Sequence, residues 1–318
     1  MSEIVKTNMA RRILPFTLAA LFLAIVPVAI PAYWTDLLTF VLIYYIYAIS
    51  FDLLLGYLGL ISFGHQIFWG TGAYLVGILI TKDITANFGV ILFLSIAVAV
   101  VLAAILGALV LRTSGTYFSF VNMAFGMAFF ALSSKWIALT KGTDGLSGFG
   151  RPWDMDGMSF YYFVFIFFIV SFLLMRWITS SRYGHILIGI RENEDRMRSL
   201  GYNTWVFKYS AYIIAGIFGI IAGVLTAYHN KIVSPDDYGF LVSGMALLMC
   251  LVGGRASQVG AFVGAVIVVF LFRVVSQFTE HWLLIVGVAF VGVVLFAREG
   301  AVGYYYRLKD RFHGISNN

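Results

Sequence analysis

Long apolar runs separated by short polar stretches dominate this chain. Ten such segments can be marked: 13–30, 37–55, 66–80, 88–111, 117–138, 160–178, 209–228, 239–253, 259–275 and 282–297. An α-helix needs about 20 apolar residues to cross the hydrocarbon core of a bilayer. The runs are continuous and do not alternate as the strands of a membrane barrel do. The pattern therefore predicts an all-α fold, a polytopic transmembrane helical bundle of about ten membrane segments. Segments 66–80 and 239–253 are short, so we expect tilted, broken or re-entrant helices there.

Composition supports this interpretation. Of the 318 residues, 61% are hydrophobic and 11% are charged, whereas a soluble domain carries about 25% charged residues. We therefore predict one transmembrane domain over 1–318. The single cysteine, Cys250, cannot build a disulfide framework or a cysteine-based metal site within one chain. The basic start of the chain precedes an apolar run without a small-residue cleavage signature, which favours an uncleaved first helix.

The distribution of Lys and Arg predicts how the bundle is oriented. If all ten segments cross and the N-terminus is cytoplasmic, 15 of the 21 basic residues are cytoplasmic and 5 are outside, with Arg273 near the outer end of its segment. Cytoplasmic loops of membrane proteins carry the excess of positive charge. We therefore expect both termini to be cytoplasmic. The net charge of +6 then reflects this rule, and we expect no nucleic-acid partner.

Two loops are long enough to have their own function. The periplasmic loop 139–159 is rich in Gly and polar residues. In the cytoplasmic loop 179–208, apolar residues at helical spacing predict one short helix that begins after Gly184 and ends at Gly201, a residue suited to a C-cap. Its apolar face would comprise Ile186, Ile190, Met197 and Leu200. Such a helix is too short to be stable alone, so either a partner protein covers it or it rests on lipid headgroups.

Several stretches of this chain resemble one family of transporters. They are ENEDRMRSLGYN (192–203), YIIAGIFGIIAGVLTAYHNKIVSP (212–235), FDLLLGYLGLISFGHQIFWGTGAYLVGIL (51–79), LRTSGTYFSFVNMAFGMAF (111–129), TKGTDGLSG (140–148) and SGMALLMCLVGGRASQVGAFVGAVI (243–267). Together they are similar to the M-type permease subunits of branched-chain amino-acid ABC importers. The matches cover about 37–298 in the family's order.

The resemblance implies a function and a set of partners. The chain would form half of a path for branched-chain or other small amino acids through the bacterial inner membrane. Its partners would be a homologous second permease, two cytoplasmic ATPases, a periplasmic or extracellular solute-binding protein and the lipid bilayer. The phosphate-binding loop of an ATPase is missing from this sequence, in line with ATP hydrolysis by partners. We expect no catalytic residue, cofactor or metal in this chain.

The resemblance also assigns the cytoplasmic loop a role as the segment that couples the permease to an ATPase. The residues carried over are Gly184, Arg191, Glu192, Glu194, Leu200 and Gly201. The family usually has two alanines where this sequence has Arg196 and Met197, and it often has Asn at Asp52. Related permeases carry urea or short amides, which is an alternative for the solute.

A polar break between segments 37–55 and 66–80 is the candidate translocation path. Its residues are Asp52, Gly56, Gly59, Ser62, Gly64 and His65. Broken helices often bind polar solutes near the middle of a bilayer, although a simple cytoplasmic turn fits the charge count equally well. A charged residue such as Asp52 costs roughly 2.5–3.5 kcal/mol at a helix centre, so it needs a function or a satisfying partner.

Two other classes of protein remain as alternatives at this point. A stand-alone secondary transporter would need coupling carboxylates within the membrane, and only Asp52 is a candidate. A membrane enzyme would need a catalytic cluster, which this sequence does not display.

Overall fold

The structure, a computed structural model, describes residues 21–278 and, beyond them, residues 281, 284, 287, 288, 291 and 292. Residues 21–29 are helical. The helices that follow are α1 (Ala32–Asp52), α2 (Gln66–Thr81), α3 (Phe88–Val110), α4 (Thr116–Lys135), α5 (Ile137–Thr140), α6 (Gly157–Ser180), α7 (Arg182–Glu192), α8 (Glu194–Ser199), α9 (Thr204–Asn230), α10 (Phe240–Gly253) and α11 (Gln258–Phe278). A π-helical turn, Leu53–Tyr57, extends α1.

Short elements join these helices. Within the described residues, 3₁₀ turns occur at Gly142–Asp144, Pro152–Asp154 and Pro235–Tyr238. Strands β1 (Leu146–Ser147) and β2 (Ile232–Val233) pair antiparallel, with Leu146 opposite Val233. This small sheet connects the loop after α5 to the end of α9.

The membrane-length helices confirm the predicted all-α bundle. In the described part of the chain, five helices are long and apolar enough to cross a bilayer: α1 with its π-helical turn, α3, α4, α6 and α9. They coincide with the predicted segments 37–55, 88–111, 117–138, 160–178 and 209–228. Helix α2 is a shorter apolar helix of 16 residues, as expected for segment 66–80. Most of segment 13–30 and of segment 282–297 lies outside the described residues.

Helices α1 and α9 form the centre of the bundle. Of the most apolar 18-residue stretch of each helix, 89% is buried in α1 and 72% in α9, compared with 28% in α3 and in α4. Glycines bring α2 and α9 into backbone contact, because a Cβ at Gly72 would lie 2.3 Å from the Ile220 oxygen and one at Gly223 only 2.0 Å from the Trp69 oxygen. Small residues at such crossings allow close helix packing in lipid.

The two ends of α1 mark the two ends of the bundle. At the Asp36 end, Arg151 of loop 139–159 lies 3.8 Å from the carboxylate of Asp36. At the Asp52 end, α7 reaches the π-helical turn, where the Arg191 guanidinium donates a hydrogen bond to the Gly56 oxygen. Loops 139–159 and 179–208, which the charge count predicts on opposite sides of the membrane, therefore lie at opposite ends of the bundle.

Helices α10 and α11 are the two arms of a bent pair. Their axes differ by 119° across the residues between them. In that turn, the Ala256 nitrogen donates to Asp52 Oδ1 at 3.0 Å, whereas Gln277 near the end of α11 bonds to the Tyr33 hydroxyl at 2.7 Å. The chain therefore reaches the Asp52 end in the turn and returns along α11 to the Asp36 end. This explains why segment 239–253 is short.

A glycine contact holds the bent pair closed. A Cβ at Gly264 of α11 would lie 1.9 Å from the Met249 oxygen of α10, whereas nothing lies within 4 Å of a Cβ at Gly244. We expect Gly264→Ala to lower the stability of the purified chain by about 1–3 kcal/mol, because the arms must separate. Gly244→Ala is the control and should leave stability equal or slightly higher. Thermal unfolding in detergent measures both, and equal melting temperatures for the two variants would contradict this packing.

Candidate functional site

Loop 179–208 contains two helices, so the predicted single helix is wrong. Helix α7 ends at Glu192, and Asn193 has an extended backbone, with φ −159° and ψ 98°. The Asn193 side chain accepts a hydrogen bond from the Arg196 nitrogen at 2.9 Å, which caps the start of α8. A favourable N-cap in the middle of a short apolar pattern therefore begins a second helix there.

The end of α8 agrees with the sequence, but its apolar face does not. Gly201 has a φ of +89°, and the Tyr202 nitrogen donates to the Met197 oxygen at 3.1 Å, as a glycine C-cap requires. Leu200 is 64% exposed, whereas Ile190 is buried. Leu200 does not share the buried face, because the interruption at Asn193 shifts the helical register.

Glu194 fixes α8 to the start of α9. Its carboxylate accepts hydrogen bonds from Arg198 at 2.7 Å and from the Thr204 hydroxyl at 2.9 Å, and it pairs with Lys208. Partial burial opposes ionisation of Glu194, but the hydrogen bonds from Lys208 and Thr204 and the positive charges of Lys208 and Arg198 together hold its pKa below the usual value. The carboxylate is therefore charged at neutral pH.

The predicted glycine and arginine of α7 pack against other elements. A Cβ at Gly184 would lie 2.0 Å from the Thr179 oxygen, so α7 turns back directly onto the end of α6. The Arg191 side chain lies across the π-helical turn, with its Cγ 2.7 Å from where a Cβ of Gly59 would be. Glu192 is exposed at the end of α7. Through Arg191, the docking loop (179–208) contacts the break between α1 and α2 directly.

The break itself is residues 58–65, which lack helical structure apart from a turn at its end. Gly59 has a φ of +78°, a conformation that glycine adopts readily. A Cβ at Gly56 would lie 2.2 Å from Asp52 Oδ1, and one at Gly64 would lie 2.1 Å from the Asn122 oxygen. Each of these three glycines is therefore required by a close contact or by its backbone conformation.

Asp52 has the satisfying partner that a buried carboxylate needs. Asp52 is 3% exposed and accepts a hydrogen bond from the Ala256 nitrogen. The Tyr57 hydroxyl donates to the Ala256 oxygen at 3.2 Å. Asp52 thus anchors the turn of the bent pair to the end of α1.

Ser62 and His65 lie deep inside the bundle and are fully buried. Ser62 accepts a hydrogen bond from Asn122 Nδ2 at 2.7 Å, and His65 Nε2 lies 2.8 Å from the Ser50 hydroxyl. They belong to a polar cluster of buried side chains from six elements, which we define as Ser50, Ser62, His65, Gln66, Asn122, Tyr212 and Ser243. Sequence reasoning missed Asn122, although an amide within segment 117–138 was a usable signal.

No group of three or more His, Cys, Asp or Glu side chains in the part of the chain that the structure describes is placed to hold an ion.

Comparison with known proteins identifies the family. Residues 33–297 match the family described as the permease component of the branched-chain amino acid transport system. The chain belongs to this family. It is therefore a multi-pass membrane protein of a transport system. No solved structure matches it.

Three curated relatives of this permease illustrate the similarity. It is 26% identical to the high-affinity branched-chain amino acid transport system permease protein LivM of Escherichia coli, over 90% of this chain and 74% of that protein. It is 24% identical to the corresponding protein BraD of Pseudomonas aeruginosa, over 70% and 79%. A probable LivM of Methanocaldococcus jannaschii is 23% identical over 72% and 78%.

The carboxylate of Glu194 predicts a pH dependence for α8 in this permease. Because its folded-state pKa is depressed, Glu194 contributes stability that is complete above its ordinary pKa of 4.5 and is lost as the pH falls through the lower folded value. Hydrogen exchange in 193–200, corrected for intrinsic rates, should therefore stay constant from neutral pH down to the ordinary pKa and rise below it. In the Glu194→Gln variant, the amides of 193–200 should exchange fast at every pH.

The neighbouring carboxylate provides a matched control for that measurement. The Asp195 side chain is 93% exposed, and its oxygen lies 3.6 Å from Arg198. Exposed pairs of this kind contribute little, so Asp195→Asn should exchange like the unmodified chain. Equal protection in all three chains would show that Glu194 does not hold α8.

Proposed function

We propose that this permease forms half of the membrane path of an ATP-binding-cassette importer for branched-chain or other small amino acids. The observation that carries the proposal is the family match over 33–297, together with relatives named as branched-chain amino acid transport permeases. The importer would also contain a homologous second permease, two ATPases and a solute-binding protein.

The proposed orientation places the Asp52 end in the cytoplasm and the Asp36 end outside, with both termini cytoplasmic. At the Asp52 end lie the basic residues of the docking loop and of the turn between α10 and α11, among them Arg182, Arg191, Arg196, Arg198 and Arg255. An excess of Lys and Arg marks the cytoplasmic side. The ATPases would then meet the docking loop, whose α8 is exposed along most of its length.

Two contacts would carry movement of an ATPase into the bundle. Glu194 joins α8 to α9, the long helix at the centre of the bundle. Arg191 joins α7 to the π-helical turn and to Gly59 in the break. Movement of the docking loop would therefore reach both α9 and the break between α1 and α2.

The assignment of the break to the translocation path remains a prediction. Gly59 and Ile61 are exposed, whereas Ser62 and His65 are sealed within the chain. In this arrangement Asp52, Gly56 and Gly59 lie beside the docking loop and the turn of the bent pair. The polar side chains of Ser62 and His65 would meet solute after a movement that uncovers them.

Uptake by the reconstituted importer tests the function. Proteoliposomes containing this chain, its second permease, the two ATPases and the binding protein should accumulate leucine, isoleucine or valine only when ATP is supplied. Uptake of urea or acetamide in place of the amino acids would establish the alternative solute class. Uptake by this chain alone under an ion gradient, without the ATPases, would overturn the proposal in favour of a secondary transporter.

Changes in the docking loop should uncouple transport from ATP hydrolysis while expression stays intact. Glu194→Gln removes the charge that holds α8, and Gly201→Ala places a side chain at positive φ, which costs about 1–3 kcal/mol. We expect uptake per ATP hydrolysed to fall about tenfold, as a loss of about 1.4 kcal/mol in a coupled equilibrium would produce. Asp195→Asn should leave the ratio unchanged. Normal uptake by both variants in the full complex would refute the role of this loop.

A further inference from the structure

Helix α4 exposes several large apolar side chains, and the side chains that it buries fully are mostly small or polar. Its buried residues are Phe118, Ser119, Asn122, Gly126 and Ser133. By contrast, Tyr117 is 75% exposed and Phe120 is 60% exposed. Val121, Phe125 and Phe129 are partly buried against the core, and the Phe129 ring lies 5.7 Å from that of Tyr238. On the fully buried face of α4, apart from Phe118, the contacts are hydrogen bonds and close backbone approach rather than apolar burial.

The contact between α4 and the break is made at two levels along the helix. Asn122 donates to Ser62 and accepts a hydrogen bond from the Tyr212 hydroxyl at 3.1 Å. Its backbone oxygen lies against Gly64, and a Cβ at Gly126 would lie 2.3 Å from Gln66 Nε2. Helix α4 thus packs directly against the break and covers Ser62, which is fully buried.

Two polar atoms of the polar cluster have no hydrogen-bond partner among the described residues. The Ser50 hydroxyl donates to the Tyr47 oxygen at 2.7 Å, so His65 Nε2 must donate to Ser50, which leaves Nδ1 as a bare acceptor. Gln66 accepts from Ser243 through its oxygen, and its Nε2 donors are unpaired. A buried unpaired group costs roughly 1–3 kcal/mol. One acceptor, His65 Nδ1, and one donor group, the Gln66 amide nitrogen, therefore lie unpaired near the contact between α4 and the break.

The chemistry of the polar cluster sets the conditions under which α4 can separate from the break. The cluster consists of hydroxyls, amides and one imidazole, which form hydrogen bonds but no ion pair with a solute. In lipid, separating α4 would leave these groups unsatisfied, which costs several kcal/mol for each group. Separation is therefore favourable only when water or a polar solute enters the space between α4 and the break.

We propose that α4 is the gate of this permease and that Asn122 and Ser62 hydrogen-bond to the solute when α4 moves away from the break. The solute would be small, without net charge, and rich in donors and acceptors, as a zwitterionic amino acid is. This inference rests on the proposed function, since it names the element that opens the path. Asn122 is then a solute-binding residue that the sequence alone did not reveal.

A cysteine introduced at Ser62, which α4 covers, tests whether α4 moves away from the break during transport. Ser62→Cys is introduced in a Cys250→Ala background, which removes the one native cysteine, and the complete importer is reconstituted. A small impermeant methanethiosulfonate reagent is applied without nucleotide, during ATP turnover and after vanadate trapping. We expect slow modification without nucleotide and at least tenfold faster modification in one of the other states, with excess solute slowing the reaction.

Two further serines make the result decisive. Ser95→Cys is the control, since Ser95 is as fully buried as Ser62 but lies in α3, away from the break. Its thiol should stay unreactive in every state. Ser119→Cys on the buried face of α4 is a second reporter if Ser62→Cys fails to assemble. Complexes that transport solute while the thiols introduced at Ser62 and Ser119 remain as slow as the control would overturn the gate. Uptake in the same vesicles tests the permease function separately.

Discussion

Backbone polar groups within a bilayer must be satisfied by the protein, and the break at 58–65 interrupts two apolar helices, so its backbone lacks the regular partners that a helix supplies. The Leu60 nitrogen donates to the Leu54 oxygen at 2.8 Å, and the Gly59 nitrogen donates to the Leu55 oxygen at 3.2 Å. These bonds span six and four residues, so two carbonyls of the π-helical turn are satisfied by the first residues of the break. Irregular backbone at membrane depth persists only where protein or a water-filled cavity surrounds it.

The elements around the break follow from that constraint. Arg191 of α7 covers its beginning and bonds to the Gly56 oxygen. The turn between α10 and α11 is held beside it by Asp52 and Tyr57. At its other end, α4 lies on Gly64. A single non-helical segment is therefore in contact with the docking loop at one end and with α4, a membrane-length helix that is mostly exposed in this chain, at the other. The π-helical turn that precedes this segment is of a kind frequent at functional sites.

Hydropathy and a C-cap glycine were enough to predict much of this architecture. Membrane-length helices leave long apolar runs, so the segments occupied by α1, α3, α4, α6 and α9 were readable in advance. Gly201 and the shortness of segment 239–253 were also readable, because a C-cap glycine and an incomplete span are local features. The interruption of the docking loop at Asn193 was missed, since helical periodicity alone does not weigh an N-cap against a continuing helix.

The side-chain pairs could not be predicted, because each joins residues that are far apart in sequence. The hydrogen bond from Asn122 to Ser62 spans 60 positions, and that from Ala256 to Asp52 spans 204. One sequence carries no information on which polar groups meet. It identified Ser62 and His65 as polar residues in an apolar setting, but not the amide on α4 that covers Ser62.

In the proposed importer, the docking loop would drive the bundle through its contact with the break. The most direct measurement is the ratio of amino acid imported to ATP hydrolysed by the reconstituted importer carrying Arg191→Ala, compared with Arg182→Ala at the exposed start of α7. We predict that Arg191→Ala keeps hydrolysing ATP while the ratio falls about tenfold, as a loss of about 1.4 kcal/mol of coupling free energy would produce, and that Arg182→Ala leaves the ratio unchanged. An unchanged ratio with Arg191→Ala would contradict the account.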